Sequence, residues 1–307
     1  MRKYCVIGTP VGHSKSPQLF EKFIGERGLE FGKDAVYERH EITDTDELDA
    51  FVKEMRAGEW DGCNVTMPWK TDMVKYMDDI SETARVTDSV NTVSARRGKL
   101  YGDSTDGRGM LNAIADVRKK ERMTSMVILG CGGAARSIIA EAIIRKTGKI
   151  VIACRGVSES SISPVGSDSF KKSDNKGDEH ECKKSMSNMD LTLAMLSRMK
   201  TGNTEIVFVD IEDADALQAS LDEAEILINS TPLGMLDGKG NENRLPLPEE
   251  IHLRKSLLVA DCVYNPDETL LLKKAIQAGC KTVKGIRMLE EQARCGVDIL
   301  LGKYQER

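Results

Sequence analysis

The chain has 307 residues, enough for two domains that each bury a core of their own. Its 44 basic and 49 acidic residues leave a formal charge of −5, which gives no electrostatic reason to expect nucleic acid or an anionic membrane as partner; small molecules are the expected ligands. No stretch approaches the roughly 20 apolar residues of a membrane span, the first apolar run is not a signal-peptide core, and the eight cysteines stand singly without metal-ligand spacing, so a cytoplasmic protein with reduced thiols and no metal is expected.

In chain order, residues 4–7 read as a strand, 16–27 as a helix, 36–42 as a strand, 45–57 as a helix and 62–66 as a strand. Such alternation argues for a mainly parallel, helix-covered sheet. Between the first strand and helix stands Gly12-His13-Ser14-Lys15-Ser16-Pro17. Ser16 reads as the N-cap before Pro17 at the first helical position, which leaves the Ser14 hydroxyl for an anionic ligand; capping alone is the alternative. Asn64-Val65-Thr66-Met67-Pro68-Trp69-Lys70 then puts amide, hydroxyl and ammonium groups just past a strand end, where α/β sheets bind ligands. A single lysine is more often a solvated surface charge. Asn91-Thr92 and Gly102-Asp103-Ser104-Thr105-Asp106-Gly107 follow, and both consist of residues that also build plain turns.

After a charged stretch at 116–123 that ends a connecting helix, a second α/β pattern begins. Residues 126–129 form an apolar strand and 134–145 a helix, with Gly130-Cys131-Gly132-Gly133-Ala134-Ala135 between them, the place of a dinucleotide fingerprint. Gly130 allows the tight turn, Gly132 lets the backbone approach a pyrophosphate, and Ala135 permits close helix packing. The helix start offers unpaired N–H groups to phosphate. The next strand, 150–154, ends in Cys154-Arg155-Gly156, without the carboxylate that NAD-specific folds place on the ribose. Arg155 suits a 2′-phosphate, so NADP is the expected cofactor; NAD is the alternative, because Glu159 could serve if the loop curls back. Residues 156–188 are rich in Ser, Lys, Asp and Glu and read as a long surface loop or partly disordered insertion. Strands at 206–211, 226–229 and 257–261 and helices at 213–223 and 269–278 complete a doubly wound domain.

Taken together, these motifs resemble the shikimate dehydrogenase family. Those quoted at 13–17, 64–70, 90–92, 105–107 and 130–135 are followed by Asn229-Ser230-Thr231-Pro232-Leu233-Gly234-Met235 and Gly285-Ile286-Arg287-Met288-Leu289-Glu290-Glu291-Gln292 in the family's order. The resemblance implies an α/β enzyme of two domains: a substrate-binding domain at 1–107, completed by 286–307, and an NAD(P)-binding Rossmann domain at 108–285. It implies reversible reduction of 3-dehydroshikimate to shikimate by NADPH, in aromatic amino acid biosynthesis, by a monomer or homodimer. By position, Lys70 and Asp106 are the catalytic pair. Ser14 and Ser16 hold the substrate carboxylate with Tyr264 nearby, while Thr66, Asn91 and Gln292 bind ring hydroxyls or position the pair. Gly130, Cys131, Gly132, Gly133, Ala134 and Arg155 serve the cofactor, and Cys262 and Gly285 lie against its nicotinamide.

The chain departs from the family where NADP-specific members carry Asn-Arg-Thr after the second Rossmann strand. Its Asp261-Cys262-Val263-Tyr264-Asn265-Pro266 and an extra strand at 206–211 look more like the quinate/shikimate branch, which uses either substrate and often NAD. The alternative of another class is a catalytically inactive, metabolite-sensing relative, against which the retention of Lys70 and Asp106 argues.

Overall fold

Two sets of apolar strands seed two sheets. The computed structural model describes residues 1–12, 14–157 and 186–302, so His13, Glu159 and most of the insertion expected at 156–188 lie outside the described residues. The chain divides into one unit of Met1–Gly109 with Glu290–Arg307 and a second of Met110–Leu289.

In the first unit, β1 (Arg2–Gly8) pairs in parallel with β2 (Ala35–Glu41) and with β3 (Gly62–Val65). The sequence pattern suggested a mainly parallel sheet, but its far half is not. β5 (Thr92–Arg96) runs antiparallel to β3 and to β6 (Lys99–Asp103), and β4 (Asp79–Ile80) closes the edge, giving the order β2-β1-β3-β5-β6-β4. The cause is local: Arg97 and Gly98, at φ 49° and 74°, form the two-residue loop with positive φ at both positions whose twist suits a hairpin. Helix α1 (Ser16–Gly25) buries Leu19, Phe20, Phe23 and Ile24; α2 (Thr45–Ala57) buries Leu48, Phe51, Val52 and Met55 and is capped at its start by the Asp44 side chain, which accepts from the Glu47 N–H. A short α3 (Glu82–Thr87) and α4 (Asp106–Arg118) follow.

In the second unit all six strands are parallel: β7 (Ser125–Leu129), β8 (Lys149–Cys154), β9 (Glu205–Asp210), β10 (Ile226–Asn229), β11 (Leu258–Asp261) and β12 (Lys281–Val283). Their order, β12-β11-β10-β7-β8-β9, is that of a doubly wound dinucleotide fold, in which the winding reverses between the first and fourth strands. Strands covered on both faces read as continuous apolar runs, as Met126–Leu129 and Ile226–Ile228 do, all of them 0% exposed. The strand taken from sequence as an addition at 206–211 is β9, the ordinary edge strand of this order, and by itself says nothing about substrate. The helices are α5 (Gly133–Ile144), α6 (Asn188–Arg198), α7 (Ala214–Glu223), α8 (Leu270–Gln277) and α9 (Gly285–Leu300), the last continuing into the first unit. No helix among the described residues is long and apolar enough to cross a membrane.

Candidate active site

In the first unit the segment after β3 is pinned on both sides of Lys70. Gly8 makes the approach feasible, since a Cβ there would lie 2.4 Å from Thr66 Cγ2 and 2.8 Å from the Met67 carbonyl oxygen. Trp69 is buried, and its indole N–H donates to the Ile42 carbonyl at 2.8 Å, while the Lys70 carbonyl accepts from the Val90 N–H at 2.8 Å. The Lys70 side chain therefore leaves from a fixed backbone and donates from Nζ to Asp106 Oδ2 at 2.7 Å. Asp106 opens α4, where the unpaired N–H groups and the helix dipole favour a carboxylate.

The other Asp106 oxygen, Oδ1, accepts from Asn91 Nδ2 at 2.7 Å. Asn91 is 3% exposed and works as a hub: its Oδ1 accepts from the Thr105 N–H at 3.0 Å and from Thr92 Oγ1 at 3.0 Å. Thr105 Oγ1 in turn lies 3.3 Å from Gln292 Oε1, so Lys70, Asp106, Asn91 and Gln292 belong to one network. Thr66, the next residue after β3, is half-buried, and its N–H donates to the Ile7 carbonyl at 2.9 Å.

The serines are arranged differently from the sequence expectation. Ser16 does not cap α1; Lys15 holds that position without a side-chain cap, and Ser16 is the first helical residue. Nor does Ser14 stand apart from its neighbour, because its Oγ accepts from the Ser16 N–H at 3.2 Å and donates to Ser16 Oγ at 3.0 Å. As the first helical residue Ser16 has an N–H without an intrahelical acceptor, and the Ser14 hydroxyl accepts it. Two residues that sequence reasoning did not single out then join the serines to the hub. The buried Tyr37 hydroxyl bonds the Ser16 side chain and donates to Asn64 Oδ1 at 2.7 Å. Asn64 Nδ2 reaches Thr92 Oγ1 at 3.1 Å and the Asn91 carbonyl at 3.3 Å. Tyr37 occupies an inward position of β2 and looks in sequence like any core aromatic. Asn64 sat in a motif, and its polarity in the middle of an apolar strand was the available signal.

In the second unit the turn after β7 opens onto a cavity of about 990 Å³. Gly130, at φ +95°, adopts a backbone that an L side chain resists, and a Cβ there would lie 3.0 Å from Thr231 Cγ2. At Gly132 a Cβ would meet nothing within 4 Å, so this strip of backbone is open to a ligand. Gly130, Cys131, Gly132 and Arg155 line the cavity, as do Glu212, Ser230, Thr231 and Arg244. It therefore lies at the carboxyl ends of β7, β8, β9 and β10, across the reversal of strand order where nucleotides bind in such sheets. Of the remaining expected cofactor residues, Gly133 and Ala134 form the first turn of α5. Cys262 and Gly285 lie together elsewhere, a Gly285 Cβ falling 2.8 Å from the Cys262 carbonyl oxygen. Tyr264 is 48% exposed in this second unit, whereas Ser14 and Ser16 belong to the first. Arg244 was not found from sequence, since it stands in a polar stretch with no strand or helix period to give it a place.

The open glycine strip, the helix start, the cavity size and the guanidinium groups of Arg155 and Arg244, which share the lining with Asp190 and Glu212, fit an elongated, phosphate-bearing nucleotide. A carboxylate that would favour an unphosphorylated ribose is missing from the end of β8, which is Cys154.

A buried acid sits beneath Cys262. Burial pushes the Asp261 carboxyl up to about 6, against the hydrogen bonds it accepts from Thr269 Oγ1, the Val263 N–H and Asn229 Nδ2. Because the folded value lies above the ordinary 3.8, the stabilisation this group contributes is complete below pH 3.8 and disappears as pH rises through about 6. We expect Asp261→Asn to flatten the denaturant midpoint across that window, relative to the parent chain measured at the same pH values. An identical pH profile in the two proteins would rule out the raised value.

The model of the shikimate dehydrogenase substrate binding domain matches residues 6–93. The chain is 33% identical over 303 residues to the shikimate dehydrogenase (NADP(+)) of Lactococcus lactis subsp. cremoris, covering 98% of this chain and 92% of that protein. Among solved structures, a shikimate 5-dehydrogenase from Listeria monocytogenes, in complex with shikimate and NAD, is 31% identical with a TM-score of 0.79, over 100% of this chain and 93% of that one. A ligand-free 5-ketofructose reductase from Gluconobacter is 30% identical with a TM-score of 0.76, over 98% of this chain and 93% of that one.

Proposed function

The chain belongs to the shikimate dehydrogenase family, and we propose that it catalyses the reversible, NADP-linked reduction of 3-dehydroshikimate to shikimate through Lys70 and Asp106. The observation that carries this reading is the 2.7 Å ion pair between Lys70 and Asp106, the first residue of a helix, whose other oxygen is held by the buried Asn91. When bound, NADPH supplies the hydride. The chain's own groups handle the proton and the charge. As the substrate carbonyl is reduced its oxygen becomes anionic; the Lys70 ammonium stabilises that charge and passes a proton from Nζ to it, taking one back in the oxidation direction. Asp106 orients the ammonium, and Asn91, by occupying Oδ1, leaves Oδ2 as the oxygen that faces Lys70.

We assign substrate binding to the first unit and nucleotide binding to the cavity of the second, with Arg155 on the 2′-phosphate. The Ser14 and Ser16 hydroxyls take the carboxylate, each turning its O–H from its present partner to the anion. Thr66, Asn91 and Gln292 serve the ring hydroxyls or the pair itself. Gly130 to Ala134 take the pyrophosphate, and Cys262 and Gly285 the nicotinamide. Tyr264 is assigned to the carboxylate end. None of the described cysteines is joined in a disulfide, which supports work in the reducing cytoplasm. The acidic net charge supports a protein that binds no nucleic acid, and we assign it a monomeric or homodimeric state.

The test is an initial-rate assay of shikimate and quinate against NADP and NAD, with NADPH and 5-ketofructose as a further arm. Turnover of shikimate with NADP well above every other pair is expected. Preference for the neutral ketose would overturn the carboxylate reading of the serines. Within the same assay, Ser14→Ala is expected to raise KM for shikimate about tenfold, the lower end of what a hydrogen bond to a charged group contributes, with kcat nearly unchanged. A KM that does not move would make Ser14 a purely structural residue.

A further inference from the structure

Two thiols stand at the carboxyl edge of the second unit's sheet without a role in the chemistry above. Cys154 ends β8, Cys131 follows Gly130 in the turn after β7, and both line the 990 Å³ cavity. β7 and β8 are paired as far as Leu129 opposite Ala153, and the Gly130 N–H still donates to the Ala153 carbonyl at 2.8 Å. That register sets Cys154 beside Gly130 and Cys131 one residue further along; a strand spacing of about 4.8 Å and a rise of about 3.3 Å per residue place such diagonal Cα atoms about 6 Å apart, inside the roughly 4.4–6.8 Å that a disulfide bridges. The two thiols share the cavity wall and each shifts the ionisation of the other.

Their surroundings divide the work between them. The neighbouring Cys154 thiol, with the charges of Arg136 and Arg155, brings Cys131 down to about 7 against the effect of burial. Cys154 moves the other way, well above the usual thiol range, through that same contact, its burial and the nearby Asp210. Cys131 is the half-buried thiol of the two and Cys154 the buried one, so Cys131 is the sulfur an oxidant reaches and Cys154 the one behind it. The first unit holds a contrasting pair, Cys5 opposite Cys63 across β1 and β3. Both are 0% exposed and both thiols are raised by burial, so adjacency there lacks access and ionisation.

We propose that Cys131 and Cys154 form a hydroperoxide-reactive dithiol whose closure to a disulfide shuts the cavity to its nucleotide. In the first step the Cys131 sulfur attacks a peroxide oxygen; the O–O bond breaks, one water leaves after proton transfer, and Cys131 becomes a sulfenic acid. In the second, the Cys154 sulfur attacks Cys131, the S–O bond breaks, and the hydroxyl leaves as water with the Cys154 proton. The two thiols lose two electrons and two protons in all, and the peroxide becomes two waters. Closure bears on the cavity because Cys154 is held in the ladder, its carbonyl accepting from the Ile211 N–H at 3.1 Å. The movement falls on Cys131, whose carbonyl is tied to Thr192 Oγ1 at 2.9 Å and to Arg136 at 3.3 Å, and with it on Gly132 and the start of α5. The effect on nucleotide binding rests on the proposed role of this cavity; formation of the bond does not.

The experiment treats the reduced full chain with hydrogen peroxide, alkylates the remaining thiols and maps tryptic peptides by mass spectrometry. A species joining 123–136 to 150–155 with the loss of two hydrogens is expected. NADPH affinity, followed by its fluorescence, should fall at least tenfold and return with dithiothreitol, and NADP+ added first should slow the cross-link. In Cys154→Ser the cross-link is absent and Cys131 is labelled by dimedone as the sulfenic acid. Absence of the linked peptide, or oxidation confined to other cysteines, overturns the dithiol; a cross-linked chain that binds NADPH unchanged overturns the closure. Failure of the reduced chain to bind NADPH counts against the nucleotide reading alone, since the cross-link is scored without it.

Discussion

Lys70→Ala is expected to lower kcat for shikimate oxidation by about 10² to 10⁴-fold while KM changes little. The ammonium interacts with the substrate oxygen most strongly when that oxygen carries developing charge, so its loss falls on the transition state rather than on binding. The change is well suited to a clean measurement. Lys70 is 29% and Asp106 22% exposed, and Asp106 keeps its Asn91 partner when the lysine is gone, so the carboxylate is neither fully buried nor orphaned. The melting temperature of the variant should therefore stay near that of the parent. Asp106→Asn is expected to lower kcat as well, and the double variant to lose less than the product of the two single losses, as groups acting as one unit do. Parental kcat in Lys70→Ala, with the ion pair gone, would remove Lys70 from the chemistry.

How much of this was readable beforehand depends on the range over which each feature is determined. β1, β7, β8 and the turn at Gly130 follow from local pattern: apolar runs buried on both faces, then a glycine where φ must be positive. Lys70 and Asp106 stand out only because their motifs occur in a family's order; nothing local distinguishes Lys70 from a surface lysine. β4 to β6 carry no apolar run to mark them: β5 is buried yet alternates Thr92 and Ser94 with Val93 and Ala95, β6 mixes polar with apolar residues, and Asp79–Ile80 is two residues long. The Ser14 and Ser16 pairing departs from the sequence pattern for a different reason. A Ser before a Pro fits an N-cap rule, but the rule assumes that the helix begins after the serine, and here the serine is inside it. Tyr37 and the Cys131–Cys154 pair carry no sequence signal of partnership, since their neighbours come from strands brought together only by folding.

The nucleotide preference turns on one residue whose neighbours are now visible. Cys154 closes β8 without a carboxylate, and Arg155 follows it, exposed beside the cavity, with its charge already felt by Cys131. A guanidinium at this point matches a 2′-phosphate in charge and in its forked donors, and finds nothing comparable on the free hydroxyl of NAD. Arg155→Gln is therefore expected to raise KM for NADP about 10- to 100-fold, the range of a charge-assisted hydrogen bond. KM for NAD and kcat with either nucleotide should stay close to the parent's. Arg244 lines the same cavity and keeps part of the positive field, so the variant should remain an NADP enzyme of reduced affinity rather than become an NAD enzyme. Salt separates the contact from a loss of shape. The parent's KM for NADP should climb with ionic strength more steeply than the variant's, because the pair being screened is the one the substitution removes. Equal losses for NADP and NAD, with parallel salt profiles, would place Arg155 away from the 2′-phosphate.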